Sequence, residues 1–273
     1  MKTKKMVDQL GLKLDPKLDQ HFLINAEVIS RAIKLANLSD SDTVVEVGAG
    51  IGNLTHELAK QAGKVIALEI DEQFKPVLSQ LPENVSVKYG NGLNYMRGKG
   101  KYWKKREFNK IIANPPYSML EPLLHNLTFT EYDACILLIS KRFAYKIEKN
   151  PVFGSFFKVK QYFDVPKDNF YPVPRTNSVL VELLRLPKGL ESGSLALFLR
   201  QYLYQHEQQV VRNSLREGLI TYSREVEKIE LTKNQARAII AQSGISLELL
   251  EKVPDNAQIY YEVSRKFTDG FKL

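Results

Sequence analysis

From residue 43 to residue 140, short runs of β-branched and apolar residues alternate with stretches of helical spacing. "TVVEVG" (43–48), "KVIALEI" (64–70), "VSVKYG" (85–90), "KIIAN" (110–114) and "ACILLIS" (134–140) read as strands. "NLTHELAKQA" and "EQFKPVLSQL" read as helices between them, the second with Pro76 as an awkward interior residue. Strands joined by helical crossovers return to the same end of a sheet, so they run parallel. The pattern predicts an α/β fold with a doubly wound, Rossmann-like sheet. "YFDVP" (162–166) and "SVLVELL" (178–184), with the turn-rich "KDNFYPVPRTN" between them, are expected to form a hairpin at one edge. After "LPKGLESGS" the texture changes to helical periodicity alone. The expected division is a catalytic domain over 1–185 and a small helical domain over 186–273.

Charge sharpens that division. The net charge of the 273 residues is +8, yet residues 186–273 carry 12 Lys/Arg against 11 Asp/Glu. The excess therefore sits in the first domain. "RGKGKYWKKREFNK" (97–110) holds seven basic residues and one acid. That run is either a solvated loop or a patch for phosphate contacts, and composition does not choose between them. The four histidines show no metal-ligand spacing, so no metal is expected. The single Cys135, in an apolar run, reads as a buried thiol. No apolar stretch approaches the roughly 18–20 residues of a membrane span, and the basic start has no signal core. A cytoplasmic protein with no membrane partner is expected.

"VVEVGAGIGNLT" places Gly48, Gly50 and Gly52 directly after the first strand. Glycines there permit tight turns and close ligand approach at the carboxyl edge of the sheet. Glu69 ends the second strand, the position of a carboxylate that accepts hydrogen bonds from ribose hydroxyls. A dinucleotide site prefers a third glycine where this chain has Asn53. The looser loop suits S-adenosylmethionine better than a nicotinamide cofactor, which remains the competing reading.

Asn114 closes the fourth strand at the same edge, followed by Pro115, Pro116 and Tyr117. An exocyclic amine on a base is a poor nucleophile because its lone pair is delocalised into the ring. The Asn114 side-chain oxygen and the Pro115 carbonyl, held by the prolines, could each accept one of its N–H bonds and aim the lone pair at a sulfonium methyl. Tyr117 offers a face for an extruded base, worth about 1–3 kcal/mol. A rigid Asx-Pro turn that merely starts the next helix is the bland alternative.

At this point the chain resembles the KsgA/Erm family of ribosomal RNA adenine N6-methyltransferases. "DQHFLIN" (19–25) is similar to the family's N-terminal cofactor motif, "VEVGAGIGNLT" to its glycine loop and "ALEIDE" to its ribose acid. "NPPY" resembles its catalytic motif, "FYPVPRTNS" (170–178) its F-x-P-x-P segment, and "QHEQQVVRNSL" (205–215) a basic helix of its C-terminal domain. The resemblance implies two methyl transfers to each target adenine. It places Gln20, His21 and Leu23 near the cofactor and Phe170 as a second aromatic at the flipped base. It also implies that Asn91 stands where the family has an Asp for the cofactor's adenine amine. The C-terminal helices would dock RNA.

The chain departs from the family at "SKRFA" (140–144), where "QKEVA" is usual, and before "RNSL", where arginines are lost and Glu207 gained. The expected partner is ribosomal RNA in a small-subunit precursor, bound by a monomer. Large-subunit methylation giving macrolide resistance, a non-catalytic RNA-binding factor of the same fold, and DNA or protein methyltransferases sharing the Asn-Pro-Pro-Tyr motif are the alternatives.

Overall fold

The computed structural model describes residues 7–9, 11–15, 18–97 and 107–267. The basic stretch containing Lys101, Lys104, Lys105 and Arg106 lies outside the described residues.

The strands are β1 (Phe22–Leu23), β2 (Thr43–Val47), β3 (Lys64–Glu69), β4 (Val85–Tyr89), β5 (Lys110–Ala113), β6 (Ala134–Ser140), β7 (Phe157–Val165), β8 (Phe170–Tyr171) and β9 (Ser178–Arg185). Seven of them form one sheet in the order β4-β3-β2-β5-β6-β9-β7. The β4, β3, β2, β5 and β6 neighbours pair parallel, and β9 pairs antiparallel with β6. This is the doubly wound, mostly parallel sheet that the alternation predicts. The order turns back at β2, so the carboxyl ends of β2, β3 and β5 meet around one crevice.

The helices in the first part of the chain are α1 (Ala26–Ala36), α2 (Asn53–Ala59), α3 (Gly92–Arg97), α4 (Leu120–Phe129) and α5 (Lys141–Lys149). Helix α1 buries Val28, Ile29, Ala32, Ile33 and Ala36 on one face, and Asn25 caps it by accepting from the Glu27 and Val28 amides. Those side chains join Val44, Val65, Ile112, Ile136 and Leu180 in a core on one face of the sheet. Pro76 is not an interior residue. The helix there is only Lys75–Leu78, which puts the proline in its first turn, where no amide is missed. Cys135 is fully buried in β6.

β7 and β9 are neighbours at one edge of the sheet, as the hairpin reading expects, with β7 outermost. β7 begins earlier than expected, at Phe157, and the turn-rich stretch between the two strands leaves the sheet. Its β8 pairs antiparallel with β1, with Phe22 opposite Tyr171 and Leu23 opposite Phe170.

The chain divides into two compact units, Met1–Tyr145 with Val159–Leu184, and Lys146–Lys158 with Arg185–Leu273. In the second, α6 (Leu195–Gln205) packs on α7 (Val211–Tyr222), followed by α8 (Lys233–Gln242) and α9 (Ala257–Ser264). Leu199, Leu203, Leu215, Leu219 and Val263 are among its most buried side chains. Among the described residues no helix is long and apolar enough to cross a membrane.

Candidate active site

The chain leaves β2 through a left-handed turn. Gly48 has φ +80° and Gly50 φ +56°, conformations that L side chains adopt only with strain. Space matters as much. A Cβ on Gly48 would lie 3.0 Å from Pro116 Cδ, and one on Gly50 would lie 2.8 Å from the Phe22 ring. Bare backbone lets both the Asn-Pro-Pro-Tyr turn and the N-terminal motif close onto the loop.

Glu69 stands opposite. Its Oε2 accepts the Gly50 amide at 2.6 Å, and Oε1 accepts the Ile70 and Asp71 amides at 2.9 and 2.8 Å. Burial pushes its pKa up against those three bonds, and the nearby Asp71 charge adds to the rise. A carboxylate has about four acceptor sites, so about one remains for a ligand.

Asn114 donates from Nδ2 to the His21 carbonyl at 2.9 Å. A carbonyl oxygen only accepts, so the amide orientation is set by chemistry: Oδ1 is the other end. Among the described residues no donor engages Oδ1. The Tyr117 hydroxyl lies 2.7 Å from Ser178 Oγ, and burial pushes the phenol's pKa up. The turn is held again at Ser118, whose amide donates to Asp19 Oδ2 at 3.0 Å. Asp19 itself sits at φ 48°.

The N-terminal motif is therefore a strap over the crevice. His21 Nδ1 donates to the Pro172 carbonyl at 2.8 Å, which leaves Nε2 as the other ring nitrogen. Gln20 accepts the Asp15 amide and donates to Asp71, so its amide fastens the strap to the turn after β3. The Leu23 carbonyl accepts Asn53 Nδ2 at 2.9 Å, while its side chain packs in the core. Asn53, at the place of the third glycine, thus ties strap to loop. Asn91 caps α3 through the Leu93 amide.

One cavity is lined by Gln20, His21 and Leu23 of the strap together with Gly48 and Gly50 of the loop. Glu69, Asn91, Asn114, Pro115 and Tyr117 line the same cavity. Phe170 is the exception and a correction. It is 2% exposed and lies in the core with Leu23 and Leu180, so it offers no face to a base. The cause is the period of two in the β1–β8 ribbon: Leu23 and Phe170 share one side, Phe22 and Tyr171 the other.

Glu46 is the site residue the sequence reading passes over. It lines the cavity from the middle of β2, is 2% exposed, and its Oε2 has no hydrogen-bond partner. Burial pushes its pKa up to about 8. The nearby Thr55 hydroxyl opposes the shift without meeting hydrogen-bond geometry, and the Glu69 charge reinforces it. The available signal was an acid in the centre of an apolar strand, "TVVEV".

A Rossmann-like sheet with a glycine loop, a buried acid on the next strand and an Asn-Pro-Pro-Tyr turn at its carboxyl edge defines a methyltransferase fold. A dimethyladenosine transferase from Plasmodium falciparum has this fold, with TM-score 0.55 and 22% identity over 90% of this chain and 95% of that one. The ribosomal RNA adenine dimethylase family model matches residues 11–243. The chain belongs to that family. It is 29% identical to a ribosomal RNA small subunit methyltransferase A of Thermotoga maritima, over 92% of this chain and 90% of the relative. It is 32% identical to a probable protein of the same name from Methanosarcina acetivorans, over 72% of this chain and 76% of the relative.

Proposed function

We propose that this enzyme uses S-adenosylmethionine to dimethylate N6 of adenines near the 3′ end of small-subunit ribosomal RNA during ribosome assembly. The sequence relatives named above carry the small-subunit name, which supports this reading over the large-subunit one. The observation that carries the chemistry is the Asn114 amide, oriented by the His21 carbonyl so that its acceptor end remains for substrate.

The residues fit the cofactor. Two buried carboxyls, Glu46 and Glu69, line the cavity, and one Glu46 oxygen lacks a partner. Such a cavity favours a ligand with ammonium and sulfonium charges and disfavours the pyrophosphate of a dinucleotide. When bound, S-adenosylmethionine supplies an already activated methyl group. Glu69 would use its remaining acceptor on a ribose hydroxyl and Asn91 would meet the adenine amine. Gln20, His21 and Leu23 would close the strap over it.

Asn114 Oδ1 and the Pro115 carbonyl would accept the two N–H bonds of the target amine and favour a pyramidal nitrogen. These acceptors suit the positive charge that develops on nitrogen, so positioning and electrostatics carry the rate. Tyr117, tethered to Ser178, would stack on the flipped base. The helical unit is the part we assign to RNA docking.

The test is methylation of purified small and large ribosomal subunits, each lacking its adenine methylations, followed by mapping of the modified bases. Two methyls on small-subunit adenines are expected. Modification confined to the large subunit would replace this reading with the resistance activity.

A further inference from the structure

Asn91 is followed by Gly92, and no other asparagine of the chain precedes a glycine. Packing requires that glycine. A Cβ on Gly92 would lie 3.0 Å from Leu68 Cβ and 3.1 Å from Leu68 Cδ1, in β3. The residue that β3 demands therefore leaves an Asn-Gly bond, with Asn91 exposed, at the cavity that both residues line. An asparagine before glycine is the one most open to attack by its own backbone, because the glycine has no side chain to shield its amide nitrogen. Gly92 is the first residue of α3, so its amide has no carbonyl to meet within the helix.

The hydrogen bonding of Asn91 shows what such a change would do. Its Oδ1 accepts the Leu93 amide at 3.0 Å. One acceptor site remains on that oxygen, and the other end of the side chain is Nδ2, a donor. The adenine amine of the cofactor is also a donor, so it meets a shared oxygen with a donor beside it. A carboxylate accepts at both ends. An Asp here would keep one oxygen on the Leu93 amide, as a helix cap does, and turn the other wholly to the amine.

We propose that Asn91 is a self-modification site, converted by deamidation into the aspartate that the cofactor's adenine amine prefers. The Gly92 nitrogen attacks Asn91 Cγ and forms a C–N bond. The side-chain nitrogen leaves as ammonia, carrying the proton that the Gly92 amide gives up. Water then adds to Cγ of the resulting succinimide and breaks the new bond. The proton returns to the Gly92 nitrogen, and a carboxyl group remains at position 91. Water is the sole co-reactant. The Asn91 backbone carbonyl accepts the Asn94 amide at 3.0 Å, while the side chain is exposed, so water reaches Cγ in preference to the backbone carbon. The inference rests on the cofactor reading stated above and adds a step that prepares its site.

The experiment uses the full-length protein, purified quickly in mildly acidic buffer, where ring closure is slow, and then held in mildly alkaline buffer. Peptide mass spectrometry follows the exchange of amide for acid, and calorimetry with S-adenosylmethionine follows affinity. The acid is expected at Asn91 ahead of every other asparagine, with affinity rising about tenfold as it accumulates. Asn91→Asp should begin at the high affinity and stay there. Asn91→Gln closes the ring far more slowly, so it should begin low and stay low. An Asn91 that keeps its amide while other asparagines convert would overturn the proposal. Conversion mainly to isoaspartate, or conversion with no gain in affinity, would also overturn it and leave the cofactor reading standing. Failure of both the fresh protein and Asn91→Asp to bind S-adenosylmethionine would defeat the cofactor reading itself, and this inference with it.

Discussion

The role proposed for Asn114 turns on the direction of one amide. Its nitrogen is spent on the His21 carbonyl, so replacing the side chain removes both the tether and the acceptor. Asn114→Ala is expected to slow single-turnover methyl transfer by about 10²-fold or more while leaving RNA affinity nearly intact. A rapid-quench comparison with labelled cofactor decides it, and equal rates would take Asn114 out of the mechanism. Glu46 gives a residue-scale prediction with a pH sign. Its carboxyl rises from 4.5 to about 8, so between those values the folded chain holds a proton that the unfolded chain has lost. Ligand-free stability therefore falls as pH rises through that window. A cationic cofactor favours the ionised form, so its affinity should rise over the same range, with proton release. Glu46→Gln should flatten both trends, read from melting temperature against pH and from calorimetry in buffers of different ionisation heat. Persistence of both trends in the variant would assign them to another group. Reading the sequence for site residues succeeds for Gly48, Glu69 and Asn114 as cavity neighbours because each ends a strand at a known edge. It fails for Phe170, whose burial depends on which side of a two-residue ribbon it takes.

The glycine loop, the strap and the Asn-Pro-Pro-Tyr turn act as three elements closed on one another. Gly50 shows the coupling: its left-handed φ and the Phe22 ring both forbid a side chain. Gly50→Ala should cost about 1–2 kcal/mol from conformation alone. It should also weaken cofactor binding further by pushing the strap away. A thermal melt and a cofactor titration measure the two separately, and unchanged cofactor affinity would mean the strap does not seat the ligand. The strands β2 to β6 were legible because apolar runs of strand length alternate with helical spacing. Helix α1 has an equally regular pattern, Val28, Ile29, Ala32, Ile33 and Ala36, yet it lies outside the alternation that organised the reading. The β1–β8 ribbon carries no such signal. Two residues are too few to show a period, and its halves are joined only in the folded chain.

Across the whole molecule, the two ends of the sheet divide stability from chemistry. At the amino ends of β2 and β5, Asp42 accepts from Ser39, Asn109 and Lys110, the last at 2.9 Å. Burial raises the Asp42 pKa, but these hydrogen bonds outweigh it and hold the carboxyl well below the usual range. Its contribution is present above the unfolded pKa and is lost only as pH falls through the lower folded value. Lys110→Met leaves that buried charge without its cation and should destabilise the fold by about 3–5 kcal/mol. Urea unfolding checks this, and a loss below about 1 kcal/mol would mean that the other hydrogen bonds suffice. The sequence by itself determined the parallel sheet, the glycine loop after β2, the acid that ends β3 and the Asn-Pro-Pro-Tyr turn, because strand period, glycine geometry and proline constraint are local properties. Only the tertiary structure decided that Gln20 is consumed as a fastener, that Phe170 is core and that Glu46 shares the cavity. It also decided that His21 is locked to Pro172, 151 residues away. Those outcomes depend on partners brought together by the sheet, and no spacing along the chain encodes which partner arrives.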